Sequence, residues 1–315
     1  MKFLIVGDIH LRTTIPVRRK SDFRESVKSK LEQVFEIAKD NKVDYILQVG
    51  DMFESWKLSS DLIEWHVYFC DLLKNTGIQF ITILGNHDIP QGNKDNLHKT
   101  NIGILKLLAD TNHDNLFILL NEDKPYLLKE NVCIYPFSYK PGIDEDKEIY
   151  SNYPTYSDKI NIGVTHAAVV ESPQVFPHVL ASEISTNLDL LIAGHVHSSY
   201  GPLKHRDTYF VNPGALVRLA INEKERRPKV VLVESVTNCT HKFIFKDIFL
   251  ANCSEEDFIT IENENKKEEL SSAILNSFDL STDKSNPHEL LCTVASQLGV
   301  PETVLSAARD YLERS

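Results

Sequence analysis

The sequence predicts an α/β layered fold with a mostly parallel first sheet, and three observations carry that expectation. Apolar runs at residues 2–6, 43–49 and 80–84 read as buried strands. Stretches with apolar residues at three- and four-residue steps alternate with them, the spacing of a helix with one buried face. Each run leads into a glycine followed by Asp, Asn or His: Gly7-Asp8-Ile9-His10, Gly50-Asp51 and Gly85-Asn86-His87-Asp88. Polar side chains crowded at the C-terminal mouths of strands stand where open α/β sheets place their ligands.

In chain order, residues 2–6 form the first strand, and a basic loop then leads to a helix over 22–40. Its apolar face is Val27, Leu31, Val34, Phe35 and Ala38. The next strand is 43–49. Ser59 or Ser60 suits the cap of a helix running to about residue 75, with Leu62, Trp65, Phe69 and Leu73 on one stripe and Gly77 as its stop. A helix over 101–110 is apolar on more than one face, as a central or interface helix would be. Short apolar runs at 116–120, 132–136, 160–164 and 188–193 read as strands of a second sheet, and 140–159 as a long surface loop. A strand ends at Phe210-Val211-Asn212-Pro213-Gly214, and 229–236 with 241–248 form a hairpin. Composition shifts near Cys253, which suggests two domains, 1–252 and 253–315. The second would hold short helices at 270–278, 287–297 and 301–312, with Pro287 and Pro301 in first-turn positions.

Length allows a large core. Hydrophobic residues at 42% and charged residues at 25% are ordinary for a globular protein, and no apolar run is long enough to span a membrane. The five cysteines are scattered with no CxxC spacing, so neither a zinc knuckle nor a disulfide framework is suggested, and a reducing cytoplasm is expected. Net charge is −11, which argues against a general polyanion binder. The balance reverses locally: Arg12, Arg18, Arg19, Lys20, Arg24, Lys28 and Lys30 face only Asp22 and Glu25. That stretch reads either as a solvated face or as a phosphate-contacting edge beside His10.

Two further junctions repeat the pattern, Thr165-His166 and Gly194-His195-Val196-His197. Any one of these histidines could be a satisfied core residue, but their recurrence at one kind of position argues for a shared site. Imidazole, carboxylate and amide oxygen are the ligand set of borderline divalent metals. Asp8 with His10, and His195 with His197, are two residues apart, so in extended segments each pair would project to one side. Asp51 could bridge two ions, about 3.5–4 Å apart in sites of this kind. Paired ions suit phosphate-ester hydrolysis, because they make a hydroxide nucleophile available near neutral pH and clamp the phosphate.

The series GDIH, GDMFE, GNHD, Thr165-His166 and GHVH resembles the calcineurin-like metallophosphoesterase superfamily over residues 1 to about 200. The resemblance implies a four-layer α/β/β/α sandwich binding two divalent ions, with manganese the expected metal. It implies Asp8, His10 and His197 on one ion, Asn86, His166 and His195 on the other, and Asp51 between them. His87 would be a non-ligand that contacts the phosphate or protonates the leaving group, unless it serves only as an orienting group through Asp88.

The basic loop after GDIHL, together with Asn212-Pro213-Gly214-Ala215-Leu216-Val217-Arg218, is similar to the nuclease subunit of SbcCD-type double-strand-break repair complexes and their phage relatives. That similarity implies a cytoplasmic DNA exonuclease and endonuclease (in the host cytoplasm if phage-encoded) that works in recombination and repair. It implies an ABC-type coiled-coil ATPase partner and a homodimer built through the helices at 62–73 and 102–108. Arg12, Arg18, Arg19, Lys20 and Arg24 are the DNA-contacting candidates, and the helices after residue 269 are candidates for docking the ATPase. The competing reading is a small-molecule phosphodiesterase or phosphatase with the same metal core.

Overall fold

The structure, a computed structural model, describes residues 1–19, 23–112, 115–120, 124–128, 131–151, 153–236, 242–251 and 258. The chain divides into two units, Met1–Asp257 and Phe258–Ser315, and the described strands and helices all belong to the first. The expected C-terminal helices and the boundary near Cys253 lie outside the described residues, as does Lys20.

Two six-stranded sheets form the core. The first contains β1 (Lys2–Val6), β2 (Tyr45–Gln48), β3 (Gln79–Thr82) and β4 (Phe117–Leu119). The second begins with β5 (Tyr126–Leu128), β6 (Val132–Phe137) and β7 (Ile160–Thr165). A two-stranded pair, β8 (Val169–Val170) and β9 (Val179–Leu180), comes next, then β10 (Leu190–Ala193), β11 (Tyr200–His205) and β12 (Thr208–Asn212). The hairpin β13 (Lys229–Ser235) and β14 (Phe243–Phe249) returns to the first sheet. Strand order is β14-β13-β1-β2-β3-β4 in the first sheet and β11-β12-β10-β7-β6-β5 in the second. β1 to β4 are parallel, as are β6, β7, β10 and β12; β13, β14, β5 and β11 pair antiparallel to their neighbours.

Among the described residues, three helices cover the first sheet: α1 (Phe23–Asp40), α2 (Ile63–Thr76) and α3 (Asn101–Asn112). The expected apolar face of α1 is buried in full, and α2 ends at Gly77 in the left-handed region, its N–H donating to Leu73 O. Phe35, Phe69, Phe80 and Phe117 stack edge and face between the helices and the sheet. Truncating one such ring to alanine costs about 3–5 kcal/mol. A second apolar layer fills the space between the sheets, with Phe3, Ile5, Leu47 and Ile81 facing Ile134, Ile162, Ile192 and Val211. β2 and the other central strands are buried on both sides, which is why they read as continuous apolar runs.

Three expectations need correction. Residues 116–120 supply β4 of the first sheet, because Phe80 N–H donates to Leu116 O and the strand runs parallel to β3. Residues 140–159 are not merely a surface loop: the short turns Ile143–Glu145 and Lys147–Tyr150 bury Ile143 and Tyr150 against the outer face of the second sheet. Among the described residues, such 3-10 turns and loops make up the fourth layer of the sandwich. Leu105 is fully buried, so it belongs to the core; the exposed apolar residues on α2 and α3 are Ile63, Val67 and Leu107.

Candidate metal centre

Every expected site residue comes after the C-terminal end of a parallel strand. Asp8 and His10 follow β1, Asp51 follows β2, Asn86 and His87 follow β3, His166 follows β7, and His195 and His197 follow β10. The backbone does not stay extended there. His10 (φ 52), Asp51 (φ 51) and His195 (φ 70) all lie in the left-handed region. Asp8–His10 and His195–His197 therefore converge through tight turns, not through strand alternation. Left-handed backbone is uncommon for residues with a β-carbon and persists where surrounding bonds over-determine it.

Those bonds can be named. Gln48, buried in β2, donates to the carbonyls of Gly7 and Gly50 and accepts from Gly50 N–H at 3.0 Å. Asp88 Oδ2 accepts from Gly85 N–H at 3.0 Å, and its Oδ1 from Phe53 N–H at 3.1 Å, tying the GNHD turn to the GDMF turn. Burial and the nearby Asp51 carboxylate push Asp88 up to about 7. Asn212 brackets the GHVH turn, with Nδ2 on Val196 O at 2.9 Å and Oδ1 accepting from Gly214 N–H at 2.7 Å. Leu216 N–H then holds Asp8 O at 2.8 Å and Ala215 N–H holds His197 O at 3.1 Å. Gly50 is required twice over: its φ is 97, and a β-carbon there would lie 2.6 Å from His166 Nδ1.

The side chains converge in three overlapping groups, Asp8–His10–His197, His10–Asp51–His87 and Asp51–His166–His195, with candidate ligand atoms within 4.8 Å of one another in each. The acceptors behind the rings assign the tautomers. His166 Nδ1–H donates to Val49 O at 2.7 Å, which turns Nε2 toward Asp51 Oδ2 at 3.2 Å and Asn86 Oδ1 at 3.0 Å. Glu223 Oε1 accepts from His197 Nδ1–H at 2.6 Å, while Glu54 Oε2 stands 3.1 Å from His10 Nδ1 without hydrogen-bond geometry. The Nε2 atoms of His10 and His197 then face each other at 3.1 Å. Asp8 Oδ2 is buried with no hydrogen-bond partner. Imidazole and carboxylate groups gathered this closely around the buried, ionised Asp51 call for positive charge, which a divalent cation would supply. On this geometry the residues present fit two such ions.

The field agrees. Burial opposes the charging of His166, yet the buried Asp51 carboxylate raises it to about 10. Burial likewise opposes ionisation of Asp51, but His166, His10 and His87 hold it below the usual carboxylate range. His195 is held below its ordinary value by burial and by His166, while Glu223 and Asp8 overcome burial to raise His197. Asp51 Oδ1 accepts from His87 N–H at 2.8 Å, which leaves Oδ2 to be shared. His87 Nδ1–H donates to Glu54 O at 2.8 Å, so its ring is oriented by Glu54 and not by Asp88.

The basic stretch is less free than its sequence suggested. Arg12 bonds Thr14 Oγ1 through Nε and Nη2, and its Nη1 lies 3.2 Å from Glu54 Oε1. Arg18 is half-buried. Arg19 is 4% exposed with its guanidinium 5.3 Å over Phe23, which takes it off a DNA-facing edge. Arg24 pairs with Glu64 over the Trp65 ring, and Lys30 is buried on Ser26. Three polar groups that the sequence did not single out back the histidines: Glu54, Glu223 and Asp144, whose Oδ2 is 3.8 Å from His195 Nε2. Glu54 stood in view in the GDMFE motif; nothing marked the other two.

The family model described as calcineurin-like phosphoesterase matches residues 1–199. Among curated proteins, the chain is 24% identical over 270 residues to the double-strand break repair protein MRE11 of Encephalitozoon cuniculi, covering 74% of this chain and 45% of that one. It is 25% identical to the DNA double-strand break repair protein Mre11 of Methanococcus maripaludis (71% and 59% covered). It is 28% identical to that of Sulfurisphaera tokodaii (70% and 53%). The chain thus spans about half the length of these relatives. Among solved structures, the crystal structure of TT1561 of Thermus thermophilus superposes with a TM-score of 0.46 at 11% identity, covering 78% of this chain and 98% of that one. Among the described residues no helix is long and apolar enough to cross a membrane.

Proposed function

The chain belongs to the calcineurin-like phosphoesterase family, and from that premise we propose that it is a dinuclear-metal DNA nuclease acting in repair and recombination. The observation that carries the hydrolytic reading is the convergence of Asp8, His10, Asp51, Asn86, His166, His195 and His197, with Asp8 Oδ2 buried and without a hydrogen bond. Relatives whose names are double-strand break repair proteins support DNA as the substrate.

When bound, two divalent ions would activate water and offset charge on the phosphate; the mixed nitrogen and oxygen donor set suits borderline divalent metals, and manganese is the one proposed. Asp8, His10 and His197 would hold one ion, and Asn86, His166 and His195 the other. Asp51 Oδ2 would be shared, since its other oxygen is held by His87 N–H. Glu223 and the Val49 carbonyl keep the Nδ1–H tautomers of His197 and His166, so that each presents Nε2, and the Glu54 carboxylate lies beside Nδ1 of His10. His87 keeps its second nitrogen for the leaving group, because Nδ1–H is committed to Glu54 O.

The finer reading adds exonuclease action on double-stranded ends and endonuclease action on single strands or hairpins. It adds a homodimer through Ile63, Val67 and Leu107. It also adds an ABC-type coiled-coil ATPase docked by the apolar positions after residue 269, with 1–252 as the catalytic domain.

A small-molecule phosphodiesterase is the second reading, favoured by Arg19 and Arg24 being taken up by Phe23 and Glu64. Cleavage of linear, hairpin and single-stranded DNA with Mn²⁺, beside a small aryl phosphodiester, separates the two. The nuclease reading predicts DNA turnover in that assay; turnover of the aryl substrate alone overturns it.

A further inference from the structure

We infer that Glu223 is the positioning residue for His197, holding that ring in the one tautomer and rotamer that leaves Nε2 free for a metal ion. Glu223 lies outside every motif and closes the short turn Ile221–Glu223. Its Oε1 accepts from His197 Nδ1–H at 2.6 Å. Its Oε2 accepts from Leu219 N–H at 2.6 Å and Ala220 N–H at 3.4 Å, and stands 3.7 Å from Arg226 Nη2. Arg226 in turn donates to the carbonyls of Ala215, at 2.5 Å, and Val217. Ala215 N–H returns to His197 O at 3.1 Å. The chain of bonds thus runs from the His197 ring through Glu223 and Arg226 back to the His197 backbone. It fixes the ring at both ends.

The chemistry explains why a carboxylate stands there. The groups facing Glu223 are all donors, with the imidazole N–H at Oε1 and the backbone N–H groups of Leu219 and Ala220 and the Arg226 guanidinium at Oε2. Only a group that accepts at both ends satisfies them. An amide of the same shape accepts at one end and donates at the other. Its NH₂ group must then meet a backbone donor, or meet Nδ1 and drive the imidazole proton to Nε2. In the second case the proton occupies the lone pair that faces His10 Nε2 at 3.1 Å. A carboxylate behind a ligand imidazole also raises the basicity of the opposite nitrogen, and such partners typically govern metal affinity by about 10–100-fold.

The inference rests on the two-metal reading, and the test keeps the two apart. Metal-free protein is titrated calorimetrically with Mn²⁺, and the ring tautomer of His197 is read by ¹⁵N NMR of the metal-free chain at alkaline pH, where the imidazole is neutral. Wild type should bind two ions and show the Nδ1–H tautomer. Glu223→Gln should lose about 10–100-fold in affinity for one ion, keep the other, and shift the tautomer toward Nε2–H. In a His197→Ala background the same substitution should cost nothing further, because both changes act through one ring.

Unchanged affinity with an unchanged tautomer overturns the assignment. So does a further loss of equal size in the His197→Ala background, which would make Glu223 a general brace. Wild type that binds no Mn²⁺ would instead remove the two-metal reading, while the tautomer still reports on Glu223. If Glu223→Gln does not fold, Glu223→Asp keeps both acceptors but draws them back by one methylene. It should weaken the same single ion, and wild-type affinity there would equally overturn the proposal.

Discussion

The two halves of the candidate metal centre use the same kinds of side chain on unequal supports. The half around Asp8, His10 and His197 has a carboxylate of its own and a carboxylate behind each histidine, Glu54 at 3.1 Å and Glu223 at 2.6 Å. The half around Asn86, His166 and His195 has a neutral amide, a backbone carbonyl behind His166, and Asp144 at 3.8 Å from His195. Asp51 serves both. Charge sets the affinity of hard cations, so the first half should fill first and hold its ion, while the second exchanges. Mn²⁺ binding should therefore come in two separable steps.

The substitution that breaks the comparison altogether is Asp51→Asn. It removes the one charge both halves share while keeping an oxygen for His87 N–H. Both ions should be lost at assay concentrations and hydrolysis should fall to background. Metal analysis of the purified variant checks this, and two retained ions with normal turnover would refute the bridging role. His87→Ala comes next. His87 sits against the first half, its ring 5.1 Å from that of His10, yet its Nδ1 is committed to Glu54 O. As a non-ligand it should leave both binding steps intact and lower turnover by about 10²–10⁴. Loss of one step would make it a ligand.

The same two halves show what could be read from the sequence. The first-sheet turns were legible because each apolar strand runs straight into its Gly-Asp or Gly-Asn-His-Asp signal, and period and punctuation fall in one short window. The clustering of the second-sheet histidines His166, His195 and His197 was legible for the same reason. Their supports were not. Glu223 lies 26 positions from His197, and Asp144 sits in a Pro- and Asp-rich stretch that reads as loop, although Ile143 beside it is buried. Acceptors behind a ligand are chosen by three-dimensional proximity and leave no local pattern. The left-handed backbone of His10, Asp51 and His195 was hidden too, because sequence pattern marks glycine for that region and not these residue types. Residues 116–120 were assigned to the wrong sheet because an apolar strand run carries no information about its neighbour.

A smaller change should sharpen the contrast between the halves. Asn86→Asp places a charge in the poorer half, where Asn86 Oδ1 lies 3.0 Å from His166 Nε2. If charge is what separates the two binding steps, the weaker one should tighten by about tenfold or more and approach the stronger. A titration in which the two steps stay as far apart as in wild type would show that backing geometry, not ligand charge, sets the order.

The smallest expected effect concerns the edge beside the first half. Arg12 is the basic residue of that edge in direct contact with the site's supports, its Nη1 3.2 Å from Glu54 Oε1. The pair is partly exposed, at 19% and 28%, so its net worth to stability is small. Removing Arg12 should leave Glu54 against His10 and both metal-binding steps unchanged. What it should remove is one cation facing an incoming phosphate. Neutralising one phosphate contact contributes about 0.9 to the slope of log affinity against log salt on duplex DNA, and about 0.7 on single strands. Arg12→Ala should therefore flatten that slope by about one unit across DNA sequences and leave turnover of a small aryl phosphodiester as in wild type. The two readouts divide the two readings of the protein. A flattened slope with unchanged small-substrate turnover places a nucleic-acid backbone along the first half. An unchanged slope, with Arg19 already turned onto Phe23 and Arg24 onto Glu64, would leave Arg18 and Lys20 as the remaining DNA-contacting candidates and weigh for the small-molecule substrate.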